Sequence, residues 1–386
     1  MGTNCNILIF SFLLIICNLQ AQSDSTGLND SLIFKGQLSI YAHYNANNNL
    51  PFWTGGRYIP QLNYKINLKK DRLIDFEASA NIYGNIGLKS NDTTNLEGNI
   101  KPYRLWARYS SQQFEFRVGL QKINFGSASL LKPLMWFDQI DPRDPLKLTD
   151  GVWSALARYY FLNNANIWLW TLYGNKNLKG WEMLKTNQNY PEIGGRFQTP
   201  VPRGEAGISY HYRIAESRDF PTTEFQYDKV PENRIGLDAK FDYIVGLWFE
   251  ASWVNKSKDM GIYTNQEIFN IGTDYTFGLG NGLSVIFEQL LAASDKKAFT
   301  FDQTTTFSML NMNYNIGLFD NISAIIYYDW MNNKVYNFVN WQKQFNKWSL
   351  YLMGYANPKD YYIPTQGADE NLYGGLGIQL MFVYNH

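Results

Sequence analysis

The chain has few of the residues on which most enzymes and metal sites depend. Its 386 residues include 2 cysteines and 3 histidines. Both cysteines, Cys5 and Cys17, lie in the segment that we interpret below as a signal peptide. Disulfides and thiolate zinc sites are therefore not expected in the mature chain. Because we also find no metal-ligand spacing, phosphate loop or nucleophile elbow, we predict no catalytic residue, no metal, no cofactor and no enzymatic activity.

Excess charge and long apolar runs are also lacking. The 34 basic and 34 acidic residues cancel, which argues against a nucleic-acid partner. The apolar run at residues 7–16 is too short to span a bilayer as a helix. It is followed by Leu19-Gln20-Ala21, which resembles a signal-peptidase site. We therefore expect a signal peptide at 1–21, cleaved near Ala21, and a short periplasmic lead at 22–33.

What the sequence does contain is alternation of apolar and polar residues from about residue 34 to residue 384. In the first such stretch Phe34, Leu38 and Ile40 share one face, and Lys35 and Gln37 share the other. Aromatic residues make up 17% of the chain, yet the mean hydropathy is −0.33. This combination is typical of a transmembrane β-barrel, in which apolar residues fill alternate positions and aromatics gather at the two interfaces.

We predict an all-β chain whose single domain, 34–386, is an antiparallel up-and-down barrel of about 18 strands in the outer membrane. The predicted strands are 34–45, 56–69, 73–87, 99–111, 114–124, 152–163, 166–176, 191–200, 204–214, 232–243, 246–256, 267–277, 282–294, 303–317, 322–332, 334–344, 346–357 and 371–385. Tight turns alternate with longer loops between them, as periplasmic turns alternate with external loops. Pro60 and Pro102 each remove a ladder hydrogen bond, which predicts a position near a rim or a bulge.

The longest connection, 125–151, is too apolar for a loop in water, because Leu130, Leu134 and Phe137 lie in it. Such a segment must fold inward or engage a partner. Inward folding is favoured, since the run Asp-Pro-Arg-Asp-Pro at 141–145 is typical of a rigid turn. The predicted constriction residues are Lys132, Trp136, Asp138, Asp141, Arg143 and Asp144.

Part of the sequence resembles the strand-and-loop block of Gram-negative porin-like and alginate-export-like barrels, in the style of Bacteroidota outer-membrane proteins. The resemblance lies in Gly-Leu-Gln-Lys-Ile-Asn-Phe-Gly at 119–126, followed by Trp136-Phe137-Asp138 and by 141–145. The resemblance implies passage of solutes or a glycan. A weaker similarity is to capsule-assembly surface lectins, whose helical N-terminal segment we do not find here.

Projecting the alternation places charged residues on the inward face. Five arginines fall on the strands between 99 and 200, and four carboxylates fall on the strands between 246 and 332. The predicted pore-lining residues are Arg104, Arg108, Arg117, Arg158, Arg196, Glu250, Asp274, Glu288 and Asp329. An arginine wall facing a carboxylate wall would create a field across the lumen. The alternative is a neutralising network inside a filled lumen.

Two further groups of residues have a functional and a structural interpretation. Ser209 and His211 share a strand face, but no acid or oxyanion donor accompanies them, so we interpret His211 as a polar lumen residue. Four tryptophans near loops could stack on sugar rings, but interfacial girdle positions are the simpler interpretation. They are Trp53, Trp136, Trp153 and Trp181.

We therefore expect an outer-membrane channel for passive passage of small solutes or glycans, with lipid and those solutes or saccharides as partners. The alternative is a non-conducting barrel for saccharide binding or envelope assembly. Inward aromatic residues such as Trp106 and Trp248 favour this alternative, because they would help to fill the lumen. The sequence does not indicate an oligomeric state.

Overall fold

The computed structural model describes residues 30–89, 94–141, 143–220, 225–360 and 372–386. The predicted signal peptide and residues 22–29 of the lead lie outside these ranges. The strands are β1 (Ser31–Asn45), β2 (Phe52–Leu68), β3 (Arg72–Leu88), β4 (Thr94–Ser110), β5 (Phe114–Gln121), β6 (Val152–Tyr160), β7 (Asn166–Leu172), β8 (Lys185–Thr186), β9 (Glu192–Val201), β10 (Gly204–Glu216), β11 (Val230–Asp242), β12 (Gly246–Lys256), β13 (Asn265–Phe277), β14 (Leu283–Asp295), β15 (Thr304–Asn315), β16 (Asp320–Asp329), β17 (Lys334–Gln344), β18 (Trp348–Ala356) and β19 (Leu376–Asn385). A single 3₁₀ turn, Gly261–Tyr263, is the helical element within the described ranges.

Eighteen of these strands form one closed antiparallel barrel, which confirms the predicted fold class. Each barrel strand pairs with the next one along the chain, and β1 pairs with β19 to close the sheet. The short strand β8 stands apart, because it only extends the pairing of β10 at one end. Strand β7 therefore pairs directly with β9.

The alternation separates the two faces of the wall as predicted. In β12, Trp248, Glu250 and Ser252 are buried on the inward side, whereas Leu247 and Phe249 are exposed on the outward side. The outward face carries many exposed apolar side chains along the other strands as well. This distribution follows from the two-residue period of a β-strand.

Short turns lie at one end of the barrel and longer loops lie at the other. We name two of the loops, because they position the site: the third loop (residues 122–151) and the fourth loop (residues 173–191). Two shorter loops, at 296–303 and 330–333, were not predicted as long connections. Among the described residues, no helix is long and apolar enough to cross a membrane.

Pro60 and Pro102 lie in the middle of β2 and β4 rather than at a rim, so that part of the prediction is wrong. The register between β3 and β4 shifts between Ser79 and Ala80, which leaves Tyr103 as an extra residue beside Pro102. The ladder between β2 and β3 is also interrupted beside Pro60. The bulge prediction is thus confirmed for Pro102, because a bulge leaves a position where no ladder hydrogen bond is needed. At Pro60 the pairing is interrupted without a change of register.

Candidate functional site

The third loop folds into the barrel and is held there by the carboxylate of Glu250. The backbone N–H groups of Ala128 and Leu134 donate to the two oxygens of Glu250, at 2.8 and 2.6 Å. Glu250 is fully buried on β12. A carboxylate that accepts backbone N–H groups forms charge-assisted hydrogen bonds, which are stronger than neutral ones.

Glu288 on β14 holds the neighbouring part of the same loop. It accepts the backbone N–H groups of Ser129, Leu130 and Leu131 at 2.5, 3.0 and 2.8 Å. The indole Nε1 of Trp248 also donates to it, at 3.2 Å. Glu250 and Glu288, which were predicted to belong to a carboxylate wall lining the lumen, therefore bind the backbone of the third loop, and the loop folds inward as predicted.

Gly126 lets the third loop turn onto Glu250. Its φ is +98°, in a region that side-chain-bearing residues rarely adopt, and a Cβ at this position would lie 2.5 Å from the Glu250 carboxylate. The close approach and the backbone conformation both require glycine here.

Apolar contacts hold the third loop in place across the lumen. Leu131 packs into a buried cluster with inward side chains of β13 to β18, including Phe307 and Tyr336. Closer to its start, Phe125 stacks on Trp170 with ring centroids 5.6 Å apart. The loop therefore contacts opposite parts of the inner wall.

Three of the predicted constriction residues, Lys132, Trp136 and Asp138, lie buried within the third loop. Lys132 donates to the Asn124 side chain at 2.9 Å, and the indole of Trp136 donates to Ser252 at 3.0 Å. Burial raises the pKa of Asp138, and the positive charges of Lys132 and Lys122 only partly oppose this effect. Trp136 thus anchors the loop to β12.

The other three predicted constriction residues, Asp141, Arg143 and Asp144, lie in the second half of the third loop. Asp141 pairs with Arg143 at 2.8 Å, and the Arg143 guanidinium lies 4.3 Å from the centre of the Tyr373 ring. The carboxylate of Asp144 accepts the backbone N–H groups of Leu146 and Leu148, which shapes the return of the loop.

Three of the predicted arginines form a partly exposed cluster on the inward face of β4, β5 and β6. Arg108, Arg117 and Arg158 approach Glu115 at 3.4, 3.1 and 3.5 Å, and Arg108 also pairs with Asp75 at 2.7 Å. The guanidiniums of Arg117 and Arg158 also lie over the indole rings of Trp106 and Trp168, at 4.7 and 3.8 Å from the ring centres.

The predicted separation into two walls of opposite charge is wrong. Acidic Asp75 and Glu115 are interleaved with the arginines, and basic Lys256 points inward from β12, on the side predicted to be acidic. The prediction failed because it did not place Glu115, which shares the inward face of β5 with Arg117.

The remaining predicted pore-lining residues lie outside this cluster, and each has a different environment. Arg104 donates to the backbone oxygen of Thr149 at 2.8 Å and so fastens the end of the third loop. Arg196 forms a two-pronged pair with Asp238 at 2.5 and 2.8 Å. Asp329 accepts backbone N–H groups in the 330–333 loop, and Asp274 is half-buried near the turn end.

The fourth loop also folds inward, which sequence reasoning missed. The side chain of its Glu182 is fully buried and contacts Lys179, Arg213 and Arg234 at 3.4, 3.1 and 2.8 Å. Glu232 on β11 completes the network with Arg213 at 2.6 Å. The alternation of β10 and β11 places the arginines inward, but nothing in the sequence marks a loop residue as their partner.

The interpretation of His211 as a polar lumen residue agrees with its contacts. Its Nδ1 accepts the indole N–H of Trp170 at 3.1 Å, so Nε2 carries the proton and donates to Glu192 at 3.1 Å. Ser209 instead accepts from Arg196. Within the described residues, no group of three or more His, Cys, Asp or Glu side chains is arranged to hold a metal.

The girdle interpretation is wrong for three of the four tryptophans. Trp53 and Trp136 are buried, and the Trp181 indole donates to the backbone oxygen of Lys132 at 2.8 Å. Trp153 is exposed on the outward face, as a girdle residue would be. Trp136 and Trp181 lie in loops, where period-two patterning does not apply. Trp53 lies at the start of β2, which the predicted strand 56–69 did not include.

Comparison with solved structures agrees with the barrel fold. The chain is similar to OccD3 (OpdP) of Pseudomonas aeruginosa, with a TM-score of 0.57 and 10% identity over 93% of this chain and 92% of that one. It is similar to OccAB1 of Acinetobacter baumannii, with a TM-score of 0.56 and 8% identity over 92% and 96%. For OccAB4 of the same organism the TM-score is 0.53 and the identity 11%, over 92% and 98%.

No family model and no curated protein matches the chain. At this level of identity the similarity shows the fold alone, which is a closed antiparallel β-barrel.

Proposed function

We propose that the protein is a porin-like channel of the outer membrane through which small solutes pass passively, narrowed by the third loop. The main support for this proposal is the position of the third loop. It crosses the interior of an eighteen-strand barrel and is held there by hydrogen bonds to the carboxylates of Glu250 and Glu288. Larger porin barrels enclose an aqueous channel. A loop fixed across such a lumen would set its narrowest width.

The outward face supports a place in the outer membrane, because exposed apolar side chains alternate there with inward polar ones. The predicted signal peptide would deliver the chain to the periplasm. The proposal includes no enzymatic activity.

The arginine cluster supports anionic solutes or acidic glycans as cargo. The Arg108 side chain is 26% exposed, and those of Arg117 and Arg158 are 16% exposed, slightly more than Glu115 at 12% and Asp75 at 6%. Arg108 is therefore the most accessible charged group among these five residues. Trp106 and Trp168 add aromatic faces to the same wall.

Conductance in planar bilayers tests the proposal. Purified full-length protein should produce discrete current steps, and the reversal potential in a salt gradient should show a preference for anions. A correctly folded barrel that never conducts would contradict the channel.

A non-conducting barrel for saccharide binding or envelope assembly is the second candidate. The fourth loop favours it, because Lys179, Glu182 and Trp181 add to the material inside the lumen. Binding of purified protein to surface polysaccharide, without ion current, would support this candidate instead.

A further inference from the structure

A pair of acidic residues is buried on the outward side of the wall, near the loop end and beneath the loop at 296–303. Glu267 of β13 is 0% exposed and Asp295 of β14 is 2% exposed. The alternation places Glu267 on the same face as Ile271, which is exposed outward. The loop covers the acids, and its Phe299 and Phe301 pack on outward aromatic residues of β12 and β13.

The strand register brings the two carboxylates together. Glu267 lies opposite Ala293, and Asp295 lies opposite Asn265, so the two acids are diagonal neighbours on one face. Diagonal neighbours in an antiparallel pair are roughly 7–8 Å apart at the backbone, and side chains of this length can reach a common point.

Each carboxylate has one oxygen that is satisfied and one that is not. The backbone N–H of Phe299 donates to Glu267 Oε1 at 3.1 Å, and those of Asp302 and Gln303 donate to Asp295 Oδ1 at 3.1 and 3.2 Å. Glu267 Oε2 and Asp295 Oδ2 are buried and accept no hydrogen bond.

No basic side chain of the described ranges forms an ion pair with either acid. Lys256 is the basic residue that influences Glu267, but it points inward from β12 and its Nζ donates to the backbone oxygen of Tyr263. Buried carboxylates without a cation are costly, since burial removes their hydration.

We propose that Glu267 and Asp295 bind a divalent cation, best matched by Ca²⁺, beneath the 296–303 loop. Both side chains offer hard oxygen ligands, which Ca²⁺ prefers, and backbone carbonyls and water can supply the others. Mg²⁺ fits less well, because it demands near-ideal octahedral geometry. Bound Ca²⁺ would fasten the loop to the outward face of the wall, at the end of the barrel that carries the longer loops.

The affinity should be modest. With two carboxylates, and no third acidic residue in the cluster among the described residues, we expect a dissociation constant of about 0.1–1 mM, as in weak extracellular calcium modules. The site does not require the barrel to conduct, so its failure and the failure of the channel proposal are separate results.

Terbium luminescence of the full-length barrel in detergent tests the site. Tb³⁺ replaces Ca²⁺, and Trp253, which lies directly opposite Glu267 on β12, would sensitise its emission. We expect saturable emission from a single ion per chain, displaced by Ca²⁺. Glu267→Gln and Asp295→Asn should each weaken binding at least about tenfold. The matched control is Asp219→Asn, which removes an exposed acid from another loop and should bind as the wild type does.

Proteolysis gives a second readout, because Lys296 and Lys297 lie in the covering loop. Ca²⁺ should slow tryptic cleavage there in the wild type but not in Glu267→Gln. If one variant fails to fold, as judged by heat-modifiable migration, the other carries the test. Unchanged Tb³⁺ binding in a folded variant, or no saturable binding of Tb³⁺ or Ca²⁺ up to about 10 mM, would overturn the site and indicate that the acids are buried as neutral carboxyl groups.

Discussion

Gly126 fixes the path of the third loop at the scale of a single residue. In Gly126→Ala, the positive φ should cost about 1–3 kcal/mol, and the new Cβ would displace the Glu250 carboxylate from its backbone partners. We expect a lower temperature of heat-modifiable migration and a larger single-channel conductance. Gly354→Ala is the control, because a Cβ there meets no atom within 4 Å. Equal behaviour of the two variants would show that the loop does not depend on Gly126.

The second prediction at the residue scale concerns the arginine cluster of β4, β5 and β6. Replacing both Arg117 and Arg158 with Ala should lower the anion preference, because charges on a wet wall of low dielectric constant focus the local potential. Glu115→Gln, which removes the carboxylate that both arginines contact, should raise it. The measurement is the reversal potential in a salt gradient, together with stability.

The stability measurement separates a wet wall from a filled lumen. Partly exposed ion pairs contribute about 1 kcal/mol or less, so the double variant should still fold normally if the wall is wet. In a filled lumen the change would leave buried Glu115 poorly paired and cost about 3–5 kcal/mol. That larger loss with unchanged selectivity would count against the channel.

At the scale of elements, Glu288 joins the third loop to β14 through three backbone N–H groups. Glu288→Gln leaves one acceptor oxygen and turns an amide NH₂ toward those donors, and each charged hydrogen bond lost costs about 1.5–3 kcal/mol. We expect faster tryptic cleavage in the loop, after Lys122 or Arg143, and larger conductance. Asp274→Asn is the control, since this inward acid lies near the turn end, away from the loop. Unchanged cleavage in Glu288→Gln would remove the anchoring role.

The buried ion-pair network around Glu182 of the fourth loop leads to a second prediction at the scale of elements. Glu182→Gln leaves Lys179, Arg213 and Arg234 with less negative charge around them, and breaking a buried pair costs about 3–5 kcal/mol. The denaturant midpoint should fall clearly below that of Glu205→Gln, an exposed acid near a turn. A midpoint equal to that of the control would mean that the network contributes little.

The extent of sequence-based prediction differs between strands and loops for a physical reason. A two-residue period with one apolar face fixes which way each strand residue points, so the inward positions of Arg117, Glu250 and Glu288 were predictable. The partners of these acids were not, because backbone N–H groups are the same in every residue and carry no sequence signal. The inward fourth loop escaped prediction because Glu182 and Lys179 resemble ordinary polar loop residues.

At the scale of the whole molecule, the decisive question is which element limits passage through the eighteen-strand lumen. Replacing residues 130–137 with a short Gly-Ser linker removes the apolar crossing segment but keeps both ends of the third loop, including Arg104 on Thr149. Since a barrel of this size is wide without its loops, conductance should rise severalfold. The same replacement of residues 179–184 in the fourth loop should raise conductance less and destabilise the barrel more, because it removes Glu182 from its buried cations. Single-channel recording of both variants, with heat-modifiable migration as the folding control, makes the comparison. If only the fourth-loop replacement opens the barrel, the fourth loop is the constriction and the proposed role of the third loop is wrong.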